Sequence, residues 1–225
     1  MNTVTVKAVV LQRTDFGEAD RILVVLTDTA GVVHVLAKGV RRIKSKLAGG
    51  IELFAVNELT LAKSRGDLQT LVSARMQQVY GAILHDIERT MLGYELLRFL
   101  YKQLEHEAGP EYFDLLTQAL AGLQAGQPPL LVRLWFYAQF MTLSGMQPDL
   151  QHDVTGGRLK ADGLYAFNSD EGRLQLSPHG SITADHIKLM RFICSQSMAA
   201  ASKLRIPENA IVGCEAFIRH IRHTQ

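Results

Sequence analysis

Cysteine is scarce in this chain: two residues in 225, Cys194 and Cys214, both in apolar helical surroundings. Two cysteines cannot make a four-thiolate zinc site, and they read as buried free thiols of a cytoplasmic protein. No stretch approaches the roughly 20 uninterrupted apolar residues that a membrane span needs. The first 20 residues have no basic segment followed by an apolar one, so no signal peptide is read there. Aromatic residues are only 7% of the chain, which makes base stacking a secondary expectation for any nucleic-acid role. Catalytic signatures are missing as well. There is no phosphate loop of the GxxxxGK[ST] kind, no GxSxG elbow and no HExxH helix.

What is present is a soluble composition, 47% apolar and 20% charged, with a net charge of +2. The charge is unevenly spread. Residues 1–80 hold 11 basic and 7 acidic residues, residues 81–150 hold 4 and 8, and residues 151–225 hold 9 and 7. The densest basic stretch is KGVRRIKSK, with Lys38, Arg41, Arg42, Lys44 and Lys46 and no acid. A charge run is commonly just a solvated loop. On a β scaffold it also suits phosphate contacts, because each cation placed on a phosphate releases a counterion.

The first 80 residues carry five β-like segments: Val4–Gln12, Arg21–Asp28, Gly31–Gly39, Phe54–Ser64 and Leu68–Gln78. The connection between the third and fourth is the long one, and it contains the basic run. This predicts a five-stranded OB-type barrel, a fold whose face and loops often bind nucleic acid. Arg13, Arg21 and Lys7 join the loop cations as candidate phosphate contacts. Phe16 is a candidate for stacking or for filling the barrel end, and Phe54 is assigned to the core. Asp15, Glu18 and Asp20 cluster near Arg21. Ion-paired turn acids are the favoured reading, and a metal-dependent nuclease is the competing one.

From Gly81 the period becomes helical. Ile87, Met91, Tyr94, Leu97, Tyr101 and Leu104 recur at three- and four-residue steps on one face. Further helices are expected over Pro110–Gln124, over the almost wholly apolar Pro128–Gly145, over Ser181–Met198 behind a Thr183 cap, and over Pro207–His223 as a single last helix. Residues 163–176 read as a small hairpin turning at Asn168–Gly172. The overall class is α+β, with a barrel domain at 1–80 and a helical domain at 81–225.

Several of these segments resemble the RecO-type DNA repair and recombination mediators of bacteria. The stretch AVVLQRTDFGEADRILVVLTDTAGVVHVLAKGVRRIKSKLAGGIELF carries the likeness, with Gly17–Ile22, Thr27, Gly31 and Lys38-Gly39 in place. NELTLAKSRGDLQTLVSA continues it, and LVRLWFYAQFMTLSGMQPDL is a weaker second match. The resemblance implies an OB-fold followed by a helical bundle, without enzymatic activity and without a cofactor. It implies binding of single- and double-stranded DNA and annealing of complementary strands. It also implies loading of RecA, with RecR, onto strands coated by single-strand-binding protein, in the cytoplasm at the nucleoid.

Many members carry a four-cysteine zinc module after the Gly-x-x-Pro-x-Leu segment. Here residues 146–180 contain no cysteine, so this insertion is expected to be held by its hairpin and by packing on the helices. His152, Asp153, Asp162 and His179 match no familiar ligand spacing. For the acidic, apolar-ended tail of single-strand-binding protein, Arg133 and Arg98 are the candidate cations beside a groove. The competing assignment for each is an interhelical ion pair. A monomer is expected, because no heptad seam extends beyond the bundle. The alternative function is a protein-docking adaptor built on an OB-like barrel.

Overall fold

The computed structural model describes residues 3–45, 47–63, 66–104 and 108–222. The chain groups into two compact units, Met1–Ala125 and Gly126–Gln225.

The first unit begins with five strands: β1 (Thr3–Phe16), β2 (Asp20–Thr27), β3 (Gly31–Ala37), β4 (Ala55–Ala62) and β5 (Leu68–Val79). They pair in the order β1-β2-β3-β5-β4 and close into a barrel. β1 is long enough to serve two neighbours. Thr3–Val9 pairs with β4 and Ala8–Phe16 with β2, with a bulge between Val10 and Gln12. A short parallel contact, His34–Leu36 on Leu68–Thr70, completes the ring. Alternation sets the interior, as a period of two must. Val6, Ala8, Val10, Leu23, Val25, Val33, Val35, Leu59, Leu61 and Leu71 all belong to one buried cluster.

The continuous run Leu23–Leu26 has a further reason. Val24 and Leu26 are buried too, as are Val9 and Leu11 on β1. Two helices, α1 (Ile87–Gln103) and α2 (Glu111–Gln124), cover the outside of these strands. A strand covered on both faces reads as unbroken apolar sequence.

Asp86 caps α1 by accepting the Arg89 N–H at 2.9 Å. The helix buries Leu92, Gly93, Leu96, Leu97, Phe99 and Leu100. Of the stripe expected as one face, only Leu97 is among them, and Ile87, Met91, Tyr94 and Tyr101 are exposed. Gly93 is required by a close approach: a Cβ there would stand 2.6 Å from Phe54 Cε1. Phe54 is core, 2% exposed, with a left-handed φ of 53° and its ring edge-on to Tyr94 at 5.0 Å.

The second unit is centred on α3 (Pro129–Leu143), which is buried on nearly every side, as its apolar sequence requires. Around it lie α4 (Ala184–Ser195), α5 (Met198–Ala201), α6 (Glu208–Gly213) and α7 (Glu215–Arg222). Trp135 Nε1 donates to the Gln196 carbonyl at 2.8 Å, and Gln139 Nε2 to that of Ile193 at 2.6 Å, so α3 holds the end of α4. Thr183 caps α4 in a reciprocal box with His186. The single last helix expected from Pro207 is instead two, broken at Cys214. Gly213 packs so tightly on the His186 ring that a side chain has no room there.

The cysteine-free insertion forms a three-stranded sheet of β6 (Asp149–Asp153), β7 (Tyr165–Asn168) and β8 (Arg173–Leu176), in the order β6-β8-β7. The expected hairpin is β7–β8, while β6 beside it was not legible in the sequence. Buried Tyr165 accepts the Lys160 N–H at 2.7 Å through its hydroxyl. Phe167 lies 5.2 Å from Phe217 of α7, and Arg191 of α4 donates to the Leu150 carbonyl. No helix among the described residues is long and apolar enough to cross a membrane.

Candidate nucleic-acid interface

The turn between β1 and β2 and the loop after β3 meet at one end of the barrel. Asp20 Oδ1 accepts the Gly39 N–H at 2.7 Å, and the Arg41 N–H donates to the Ala19 carbonyl at 2.9 Å. Gly39 sits at φ 63°, a left-handed conformation that glycine adopts at no steric cost. The Arg42 N–H then returns to the Gly39 carbonyl at 3.1 Å, and Val40 is buried in the barrel core. The base of the basic loop is thus clasped to its neighbour and plugged into the interior.

The clasp makes the cations unequal. Arg21 Nε lies 2.8 Å from Asp15 Oδ1, and Arg41 Nε lies 3.4 Å from Asp15 Oδ2. The hydrogen bond from Arg21, helped by the charge of Arg41, holds the Asp15 carboxyl below its ordinary range. Arg13 pairs with Glu52 at 3.0 Å. Each of these three arginines is ion-paired, with Arg21 and Arg41 sharing one carboxylate. Lys38, Arg42 and Lys44 are exposed and make no ion pair among the described residues. Lys46 lies outside the described residues. Lys7 is exposed on β1 and registered opposite Glu58 of β4. It lies nine positions before Phe16, about 30 Å along the strand at roughly 3.3 Å per step, so it is not gathered with the loop.

Two apolar side chains belong to the same turn and loop. Phe16 is 52% exposed, so it does not fill the barrel end, and Ile43 is fully exposed between Arg42 and Lys44. Nothing in the sequence pattern singles out Ile43, because an isoleucine among cations looks like a buried anchor. Two of the three acids near Arg21 are engaged as the favoured expectation has it, Asp15 with two arginines and Asp20 with the Gly39 N–H. Among the described residues no group of three or more His, Cys, Asp or Glu could hold a metal ion. In the insertion, Asp153 Oδ1 accepts the Thr155 and Gly157 N–H groups, and His152 faces Asp149 at 3.3 Å.

A second feature lies elsewhere in the first unit. A groove of about 420 Å³ runs between β1 and α1, lined by Leu11, Gln12, Tyr94, Leu97, Arg98 and Tyr101. Lys102, one helical turn beyond Arg98, adds a second cation that the sequence pattern does not mark. Arg133, on α3 in the other unit, is half-buried and engaged within the protein.

Comparison with known proteins is consistent along the chain. The family profile described as Recombination protein O N terminal matches residues 1–80, and that described as Recombination protein O C terminal matches residues 84–225. A DNA repair protein RecO of Dehalococcoides mccartyi strain CBDB1 is 27% identical over 221 residues, covering 95% of this chain and 87% of the relative. A DNA repair protein RecO of Roseiflexus sp. strain RS-1 is 28% identical over 228 residues, covering 96% and 79%. One from Anaeromyxobacter sp. strain K is 31% identical over 176 residues, covering 76% and 68%. With both profiles matched in order on an OB-type barrel followed by helices, the chain belongs to the RecO family.

Proposed function

We propose that this protein is a DNA repair and recombination mediator. It binds single- and double-stranded DNA, anneals complementary strands and, with RecR, helps load RecA onto strands coated by single-strand-binding protein. The observation that carries the DNA reading is the clasped loop with Lys38, Arg42 and Lys44 uncommitted to any described acid. Cations held on a rigid base track phosphates without reading sequence, which gives salt-dependent and sequence-tolerant binding. Annealing needs two strands close together, their charge screened and their bases free to pair. Phosphate contacts serve that need better than base pockets do. Arg13, Arg21 and Arg41 contribute less, since each would have to leave a carboxylate. Phe16 and Ile43 supply apolar surface for unstacked bases, worth on the order of 1–3 kcal/mol where a base rests on the aromatic ring.

In this reading residues 1–80 are the DNA-binding domain and residues 81–225 the helical domain. The protein acts without catalysing a reaction, in the cytoplasm at the nucleoid. The groove at Arg98 is the favoured seat for the acidic tail of single-strand-binding protein. It offers an apolar floor and two cations, which match a tail of acids ending in apolar residues. Strand annealing measured with and without single-strand-binding protein tests the proposal. Acceleration is expected in both, and no acceleration in either would overturn it.

A further inference from the structure

Two anion-binding places lie on one strand of the first unit. Leu11 and Gln12 of β1 line the groove that also holds Arg98 and Lys102. Arg13 follows directly and pairs with Glu52 at 3.0 Å. Asp15 and Phe16 end the strand. There Arg41 of the basic loop reaches Asp15 Oδ2 at 3.4 Å and the Gly17 carbonyl at 3.4 Å. From Gln12 to Phe16 is four positions, about 13 Å at roughly 3.3 Å per step. The ladder to β2 runs unbroken over that span, so the separation is fixed. Arg13 is the one cation of β1 within it, and its pairing with Glu52 leaves no uncommitted charge there to screen one anion from the other.

We propose that the two places bind against each other: an acidic, apolar-ended peptide in the groove weakens DNA at the loop, and DNA weakens the peptide. The inference rests on the reading of groove and loop given above. Its cause is charge. Peptide acids drawn to Arg98 and Lys102 stand about 15 Å from phosphates drawn to the loop, the length of strand between them. About three acids facing about three phosphates at that distance, in the dielectric of water, weaken each other about tenfold where the screening length is about 30 Å, as at about 0.01 M salt. At about 0.15 M salt the screening length is about 8 Å, and the factor falls to about twofold. Linkage makes the factor the same whichever ligand binds first. A chain brought to a coated strand by such a peptide is thereby loosened from the peptide as it takes the strand.

The test titrates the full chain into a labelled peptide of about three acids ending in apolar residues, with and without a saturating unlabelled oligonucleotide. Fluorescence anisotropy gives the dissociation constant. DNA is expected to raise it about tenfold at 0.01 M salt and about twofold at 0.15 M. The reciprocal titration, labelled DNA with and without saturating peptide, is expected to return the same factors. The amide analogue of the peptide, at concentrations that fill the groove, is expected to show no penalty at either salt. Equal penalties for the acidic and amide peptides would overturn the proposal. Strict exclusion, with no ternary complex at saturation, would overturn it as well and make groove and loop one continuous anion surface. A peptide or oligonucleotide that does not bind the free chain overturns the reading of that site and takes the coupling with it. Two ligands that each bind the free chain and ignore each other at low salt overturn the coupling alone.

Discussion

Converting Lys38, Arg42 and Lys44 together to alanine removes the three loop cations that no described acid neutralises. Every phosphate of single-stranded DNA that the protein ceases to neutralise lowers the slope of log affinity on log salt by about 0.7. Three such phosphates amount to a slope change of about 2. Between 50 and 200 mM salt, a fourfold span, that slope corresponds to about a 20-fold difference in how steeply affinity falls. The variant should therefore bind more weakly at low salt and depend on salt far less, with the same far-UV circular dichroism. Fluorescence anisotropy of a labelled oligonucleotide across a salt series measures both quantities. Asp15→Asn is the opposing arm. It releases Arg21 and Arg41, and the slope should steepen by up to about 1.4. A correctly folded triple variant with unchanged affinity and slope would refute the assignment of the loop. An unchanged slope in Asp15→Asn would refute the idea that this carboxylate withholds two arginines.

Gly93→Ala forces a Cβ against the Phe54 ring and is expected to cost about 1–2 kcal/mol net, since overpacking outweighs the roughly 1 kcal/mol gained in helix propensity. Urea denaturation measures this, and Phe54→Ala in the same chain should abolish the increment through non-additivity. Arg98→Ala should weaken binding of an acidic, apolar-ended tail peptide at least about fivefold, about 1 kcal/mol, while Arg133→Ala leaves it unaltered; the reverse result moves the tail site to α3. Burial pushes the Cys194 thiol up to about 11 and the Cys214 thiol up to about 12. At pH 8 the thiolate fraction is then about one in 1,000 or less, so both should resist a thiol reagent in the native protein and react once it is unfolded.

The barrel was readable because alternation is local: a strand shows its inner face every second residue, and Val6, Ala8 and Val10 declare it without help. Helical periodicity is less decisive. In α1 the row Ile87, Met91, Tyr94 and Tyr101 fits one face as well as the buried row does, and nothing in the pattern says which face meets the strands. The close approach at Gly213, beside the break at Cys214, is to the His186 ring 27 positions upstream, which no window around Gly213 contains. The site follows the same division. Its five loop cations were visible as composition, but as equals. What separates the basic residues is partners they do not show: Asp15 takes Arg41 of the loop together with Arg21, and Glu52 takes Arg13 across 39 residues. Distance along the chain hides which charges are already spoken for.

The single tryptophan of the chain lies in α3, 2% exposed, with its indole N–H donated to the end of α4. Its emission is consequently an optical signal of the second unit alone. Melting of α4 away from α3 would wet the indole and shift its spectrum to the red. Opening of the β-barrel, which holds no tryptophan, would pass unseen at the same wavelength. A denaturation followed by indole emission and by far-UV circular dichroism in parallel would therefore show whether the two units of this chain come apart together or one after the other.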